Sequence, residues 1–126
     1  MTGSRLVLGM AAASGLLAVL LGAFASHGLQ LDATEQGWLE LANRYHFTHT
    51  LALLLAALLP AGRLRSATAS AWIAGMLLFC GSLYLGAMTS WQLFWLTPIG
   101  GVALIAGWFC LLLQAWRWHD RADPQG

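Results

Sequence analysis

The chain is predicted to be all-α, an integral membrane four-helix bundle forming a single domain over residues 1–126, and three observations predict it. Four apolar stretches, about 6–26, 41–59, 69–88 and 98–116, fill most of the sequence. Each approaches the roughly 20 residues that a helix needs to cross about 30 Å of hydrocarbon. Charged residues make up only 9% of the chain, none is lysine, and they lie between or beyond the apolar cores, apart from Arg44 at the mouth of the second. Five of the six arginines fall on one side of the implied membrane. A soluble helix shows one apolar face; these are apolar all round.

The first stretch follows Arg5 and ends in Ala23-Phe24-Ala25 before Ser26, which imitates a signal-peptide cleavage site. Its run of about 19 residues exceeds the 7–15 of an ordinary signal core. Gly15, Ala18, Gly22 and Ser26 also form a small-residue stripe suited to helix packing. The segment is therefore expected to be retained as a span. Asp32-x-x-Glu35 reads as a capping box that starts a helix in the first loop, and Glu40 with Arg44 forms an i,i+4 pair on it. This helix is expected to run along the outer interface and bend into the second span. That span is the least apolar, because only Phe47–Leu59 is continuously so. Reaching a spanning length requires Leu41–His46 as well, and so brings Arg44 and His46 to the outer surface. Pro60 and Gly62 end it, and Thr97-Pro98 reads as N-cap and first turn of the fourth span. Trp38, Trp91 and Trp95 are expected at the outer interface, and Trp72, Trp116 and Trp118 at the inner one. Trp108 alone falls mid-span, where its N–H needs a partner on another helix.

Four crossings put both termini on one side, with Arg5, Arg63, Arg65, Arg117 and Arg121. Asp32, Glu35 and Glu40 occupy the other side, with Arg44 the one cation there. The positive-inside rule assigns the arginine side to the cytoplasm. Lipid tails are as apolar as leucine, so helices associate through small residues that let backbones approach. Gly15 and Gly22 in the first span, Gly75, Ser82 and Gly86 in the third, and Gly100 and Gly107 in the fourth are the expected seams. Some of them are equally suited to self-association. Leu21–Ser26 and Leu85–Ser90 resemble each other, which is a weak sign of an internal repeat.

The polar concentration at membrane depth is at the outer end: His27, Arg44, Tyr45, His46 and His49. His46 and His49 lie three apart, so they project to neighbouring positions of one helix face. His27 joins them if the first two spans pack as an antiparallel hairpin. Converging imidazoles can bind a metal, ligate haem or relay protons. The plainer reading is that these histidines bond to neighbouring groups and fix helix register, while Arg44 pairs with Glu40 and snorkels to head groups. No nucleophile triad, phosphate loop, HExxH or CxxC pattern occurs. Cys80 and Cys110 are too few and too far apart for a zinc site and read as small buried hydrophobes. A net charge of +1 without a basic patch gives no sign of nucleic acid. Residues alone thus point to a non-enzymatic accessory or structural membrane protein with no catalytic residue, metal or cofactor. Its partners are membrane lipids, and a second copy or another membrane protein. The alternative is a binding or small transport protein that holds a small molecule, lipid, quinone, metal or haem in the outer cluster. Alternating access fits poorly, since no charge lies near the bilayer midplane and no proline breaks a span.

Four segments carry a family resemblance. Gly22–Leu29, reading GAFASHGL, resembles a GAFGAHxL signature, with Ala25 and Ser26 in place of Gly-Ala. Tyr45–Ala52 resembles a YxxxHTLA segment, Phe79–Tyr84 an FSGSLY stretch with Cys80 for Ser, and Thr97–Gly101 with Gly107-Trp108 a TPxGG…GW helix. Together they resemble the YgdD-like small inner-membrane proteins, whose function is unknown. The resemblance implies four transmembrane helices in the bacterial cytoplasmic membrane and an uncleaved first helix. It places His27 and His49, but not His46, on motif positions, which weakens a three-histidine metal site. It brings no reaction.

Overall fold

The computed structural model describes residues 2–122, and among these it is helical with no strand. Helix α1 is Thr2–Gly28 and α2 is Ala33–Ala56. Helix α3, Arg63–Gly75, runs through a π-helical turn at Met76–Cys80 into α4, Gly81–Met88, so the three form one continuous rod. Helix α5 is Leu96–Ala122. The side chain of Arg121, and Asp123, lie outside the described residues. Short connections make sequential helices antiparallel neighbours. Helix α1 packs on α2, α2 packs on the π turn and α4, and α5 packs along α3 and the π turn. The rod formed by α3 and α4 is therefore the centre of the bundle.

The packing is inverted relative to a soluble protein. Alanines fill the core, with Ala11, Ala18, Ala42, Ala56, Ala69 and Ala87 all buried. Large apolar side chains point outward, among them Leu16, Leu20, Leu55, Leu77, Val102 and Ile105. Such a surface has lipid as its solvent. Three helices, Gly3–Gly28, Arg63–Met88 and Leu96–Asp120, are long and apolar enough to cross a membrane. Helix α2 has the length but carries more polar residues. It buries Asn43 partly and His46, His49 and Thr50 fully, while Phe47, Leu51, Leu54 and Leu55 face out.

Glycines set the contact between α5 and the central rod. Moving along it, Gly107 faces the Trp72 indole, Leu104 faces Gly75, Gly100 faces the Phe79 backbone, and Thr97 bonds Ser82 at 2.7 Å. A Cβ on Gly75 would lie 2.7 Å from Leu104 Cγ, and one on Gly100 would lie 2.8 Å from Phe79 Cα. The π turn lies at this closest approach, where Ser82 Oγ also donates to the Phe79 carbonyl at 3.0 Å. Across α1 and α2, a Cβ on Gly15 would meet Thr50 Cγ2 at 3.4 Å, and one on Gly22 would meet Asn43 Oδ1 at 3.1 Å. Gly86 makes room for the Phe94 ring, which packs against Trp38 with centroids 4.5 Å apart.

The ends of the elements differ from the sequence reading in three places. The capping box forms, with Asp32 Oδ1 accepting from Glu35 N at 2.8 Å and Glu35 Oε2 from Asp32 N at 3.0 Å. The helix it starts continues unbroken through the second apolar run, with no separate interfacial segment, and ends at Ala56. Helix α5 begins at Leu96, one residue before the expected cap, so Thr97 lies inside the helix and its hydroxyl bonds Ser82 across the seam. Trp72 is not interfacial but 1% exposed. Helix α3 starts at Arg63, well before the apolar run, so Trp72 lies about 14 Å along it by helical rise.

Candidate functional site

The inward face of α2 carries Asn43, His46, His49 and Thr50, at the three- and four-residue spacing that stacks side chains on one side of a helix. Buried polar groups in hydrocarbon need partners, and each of these finds one. His46 Nε2 lies 3.0 Å from Ser14 Oγ on α1, and its Nδ1 lies 3.1 Å from the Tyr84 hydroxyl on α4. Asn43 Nδ2 donates to the Ala18 carbonyl at 2.9 Å and to the Tyr84 oxygen at 3.0 Å. Ser14 Oγ and Thr50 Oγ1 are 2.6 Å apart.

Asn43 spends one amide hydrogen on the Ala18 carbonyl and the other on the Tyr84 oxygen. Tyr84, His46, Ser14 and Thr50 continue the chain through groups that can each donate or accept, and Ser14 Oγ also lies 3.8 Å from Met76 Sδ. The ribbon ties α1, α2 and α4 together.

The partners of His49 fix its tautomer. Its Nδ1–H donates to the Tyr45 carbonyl one turn back at 2.8 Å. Its Nε2 accepts the indole N–H of Trp108 on α5 at 3.0 Å, the partner that a mid-span tryptophan requires. The ring sits edge-on to Trp72 and Trp108, with centroids 6.2 and 6.0 Å away, and the two indoles are 4.9 Å apart.

The outer cluster expected from the sequence does not assemble. His27 is exposed in the last turn of α1, and Arg44 is exposed on α2. Tyr45 lies on the outer surface against Phe79 and His49, with centroids 4.7 and 5.9 Å away. His46 and His49 diverge, because three residues turn a helix to within only about 60° of its start. That angle is enough here, since α1 and α4 lie against one flank of α2 and the Trp72–Trp108 pair against the other. Among the described residues no three His, Cys, Asp or Glu side chains gather to hold a metal. Glu40 accepts the amide of Gln36 at 3.0 Å rather than meeting Arg44. Cys80 and Cys110 are free thiols, Cys80 buried and Cys110 partly so.

Sequence reasoning missed Ser14, Asn43, Thr50 and Tyr84. Asn43, His46 and Thr50 share a face of α2 by spacing, and Ser14 is a hydroxyl in mid-span; both signals were present in the sequence. A cavity of about 350 Å³ lies between α1 and the central rod. Its walls are apolar, with Met10, Leu17, Ile73 and Leu77 among them, and Ser14, His46 and Tyr84 also line it.

The profile of a family described as "Protein of unknown function (DUF423)" matches residues 21–101. A "UPF0382 membrane protein" of Haemophilus influenzae is 41% identical over 113 residues, covering 86% of this chain and 91% of the relative. The "UPF0382 inner membrane protein YgdD" of Escherichia coli K12 is 40% identical over 120 residues, covering 90% and 92%. The "UPF0382 membrane protein YwdK" of Bacillus subtilis is 38% identical over 114 residues, covering 84% and 92%. No solved structure matches the chain.

Proposed function

Since the chain belongs to the DUF423 family of membrane proteins of unknown function, we propose that it is a non-enzymatic accessory protein of the bacterial inner membrane, with four spans and both termini in the cytoplasm. One observation carries the reading. Both ring nitrogens of His46 and of His49 are engaged in bonds within the chain, as are the hydroxyls of Ser14, Thr50, Ser82 and Tyr84. A general base needs a lone pair within reach of substrate, and these groups are spent on one another. The inverted face of α2 supports the fourth crossing, because His46, His49 and Thr50 are satisfied inside the bundle, Phe47, Leu51, Leu54 and Leu55 face out, and the exposed Thr48 hydroxyl is spent on the Arg44 carbonyl. The arginine-poor first loop supports the orientation.

The cavity between α1 and the central rod supports a second reading, in which an amphipathic small molecule such as a lipid or quinone lies along the apolar wall with its polar end at Ser14 and His46. Purification in mild detergent followed by mass spectrometry of an organic extract, metal analysis and an optical spectrum separates the two. The accessory reading expects His46→Ala to lower thermal stability with no co-purifying compound in either protein. A stoichiometric compound in the parent that His46→Ala loses makes the second reading the correct one.

A further inference from the structure

The arginine-rich end of the bundle contains a second cavity, of about 340 Å³, at the start of α3. Arg63, Arg65, Gln114 and Arg117 line it, together with the 60–62 turn, and no carboxylate lines it among the described residues. Two features of this end are unbalanced. Helix α3 has no side-chain cap and no acidic residue in its first turn. Its free N–H groups and the positive end of its dipole therefore face two arginines of the same turn, the reverse of the favourable arrangement. Arg65 is also only 5% exposed. One arm is clamped, with Nη1 donating to Ser4 Oγ at 2.7 Å and to the Leu59 carbonyl at 3.2 Å, but its buried Nε–H has no partner among the described residues. Gln114 Oε1 across the cavity is likewise buried and unpaired, and its amide can present N–H instead by a flip. Arginines that only set topology have no need of burial; Arg63 and Arg117 are exposed, and Arg65 is not.

We propose that this cavity binds a phosphate group, held by Arg65 Nε–H, the guanidinium groups of Arg63 and Arg117, and the free N–H groups of the first turn of α3. Helix N-termini and arginine forks are the two standard protein ligands for phosphate. An anion here removes the repulsion between the three guanidinium groups and the helix dipole, and gives the orphaned Nε–H an acceptor. Basic pockets between membrane helices hold anionic head groups in this way. The phosphate is that of an anionic phospholipid or a free phosphate ion. The site does not depend on which side of the membrane the arginine end faces, nor on the cavity between α1 and the central rod.

The test uses the full chain in dodecyl maltoside and follows thermal unfolding. Its additions are phosphatidylglycerol, phosphatidylcholine, and sodium phosphate against sodium chloride at matched ionic strength. Phosphatidylglycerol or phosphate raises the unfolding temperature, and phosphatidylcholine and chloride do not. A response to phosphatidylglycerol alone identifies a lipid headgroup site, and an equal response to phosphate identifies a free-anion site. Arg117→Gln, an exposed change that leaves the fold intact, raises the half-saturating concentration about fivefold. Arg65→Gln abolishes the response, and Arg44→Gln at the opposite end leaves it unaltered. No response to either anion, or an equal loss in Arg44→Gln and Arg117→Gln, overturns the proposal.

Discussion

Replacing Gly100 with alanine adds one methyl group at the tightest point of the bundle. That methyl carbon would stand 2.8 Å from both Cα and Cβ of Phe79, against an ordinary contact of 3.4–4 Å. The obstacle is main chain inside the rod, so no side-chain rotation relieves it. Helix α5 must retreat by roughly 1 Å, which forfeits a quarter to a half of each dispersion contact along the seam. The same retreat stretches the Ser82–Thr97 bond, now 2.7 Å, beyond useful length. Overpacking of this kind costs about 1–3 kcal/mol, and the lost interhelical bond about 0.6 kcal/mol more. Alanine recovers up to about 1 kcal/mol through its helix propensity. The net expectation is a loss of about 1–3 kcal/mol. Gly9→Ala is the matched control, because no atom lies within 4 Å of its added methyl group. Unfolding in mixed micelles by titration with sodium dodecyl sulfate, followed by tryptophan fluorescence, measures both. A Gly100→Ala protein as stable as Gly9→Ala would refute the seam.

The polar ribbon and the helix start make further predictions. Tyr84→Phe removes one oxygen but strands two groups, Asn43 N–H and His46 Nδ1, and is expected to cost about 1–3 kcal/mol in the same assay. Trp108→Phe keeps an aromatic side chain, smaller than the indole, and deletes the donor to His49; a double-mutant cycle with His49→Ala should return a coupling of about 0.6 kcal/mol, and zero coupling contradicts the bond. Asp32→Ala removes the cap of α2 and should cost about 1 kcal/mol, with faster amide exchange confined to the first turn of that helix.

The parts of this fold that could be read from the sequence are those governed by local rules. Apolar length marked the helices, Asp32 and Glu35 marked the start of α2, and a lone mid-span indole at Trp108 required a partner. What the sequence did not reveal depends on which helix lies opposite. His46 and His49 are neighbours along α2, yet α2 has α1 and the α4 end of the rod on one flank and the Trp72–Trp108 indoles on the other, and the small angle between the two rings sends each to a different flank. Trp72 obeys the interfacial preference of tryptophan only until Gly107 opens a slot for its indole. The π turn at Met76–Cys80 has no proline to announce it and occurs where the Phe79 main chain meets Gly100. Thr97 has the chemistry of a helix cap, but it lies inside α5, where its hydroxyl bonds Ser82 on the rod.

The topology turns on α2 crossing the membrane despite its histidines. Thr34→Cys in the first turn of α2 and Ala61→Cys after its end, each in a Cys80→Ala, Cys110→Ala background, place single exposed thiols at its two ends. In spheroplasts, a membrane-impermeant maleimide should label Thr34→Cys and leave Ala61→Cys unlabelled until the membrane is broken. Labelling of both thiols before lysis, or of neither, would mean that α2 does not cross.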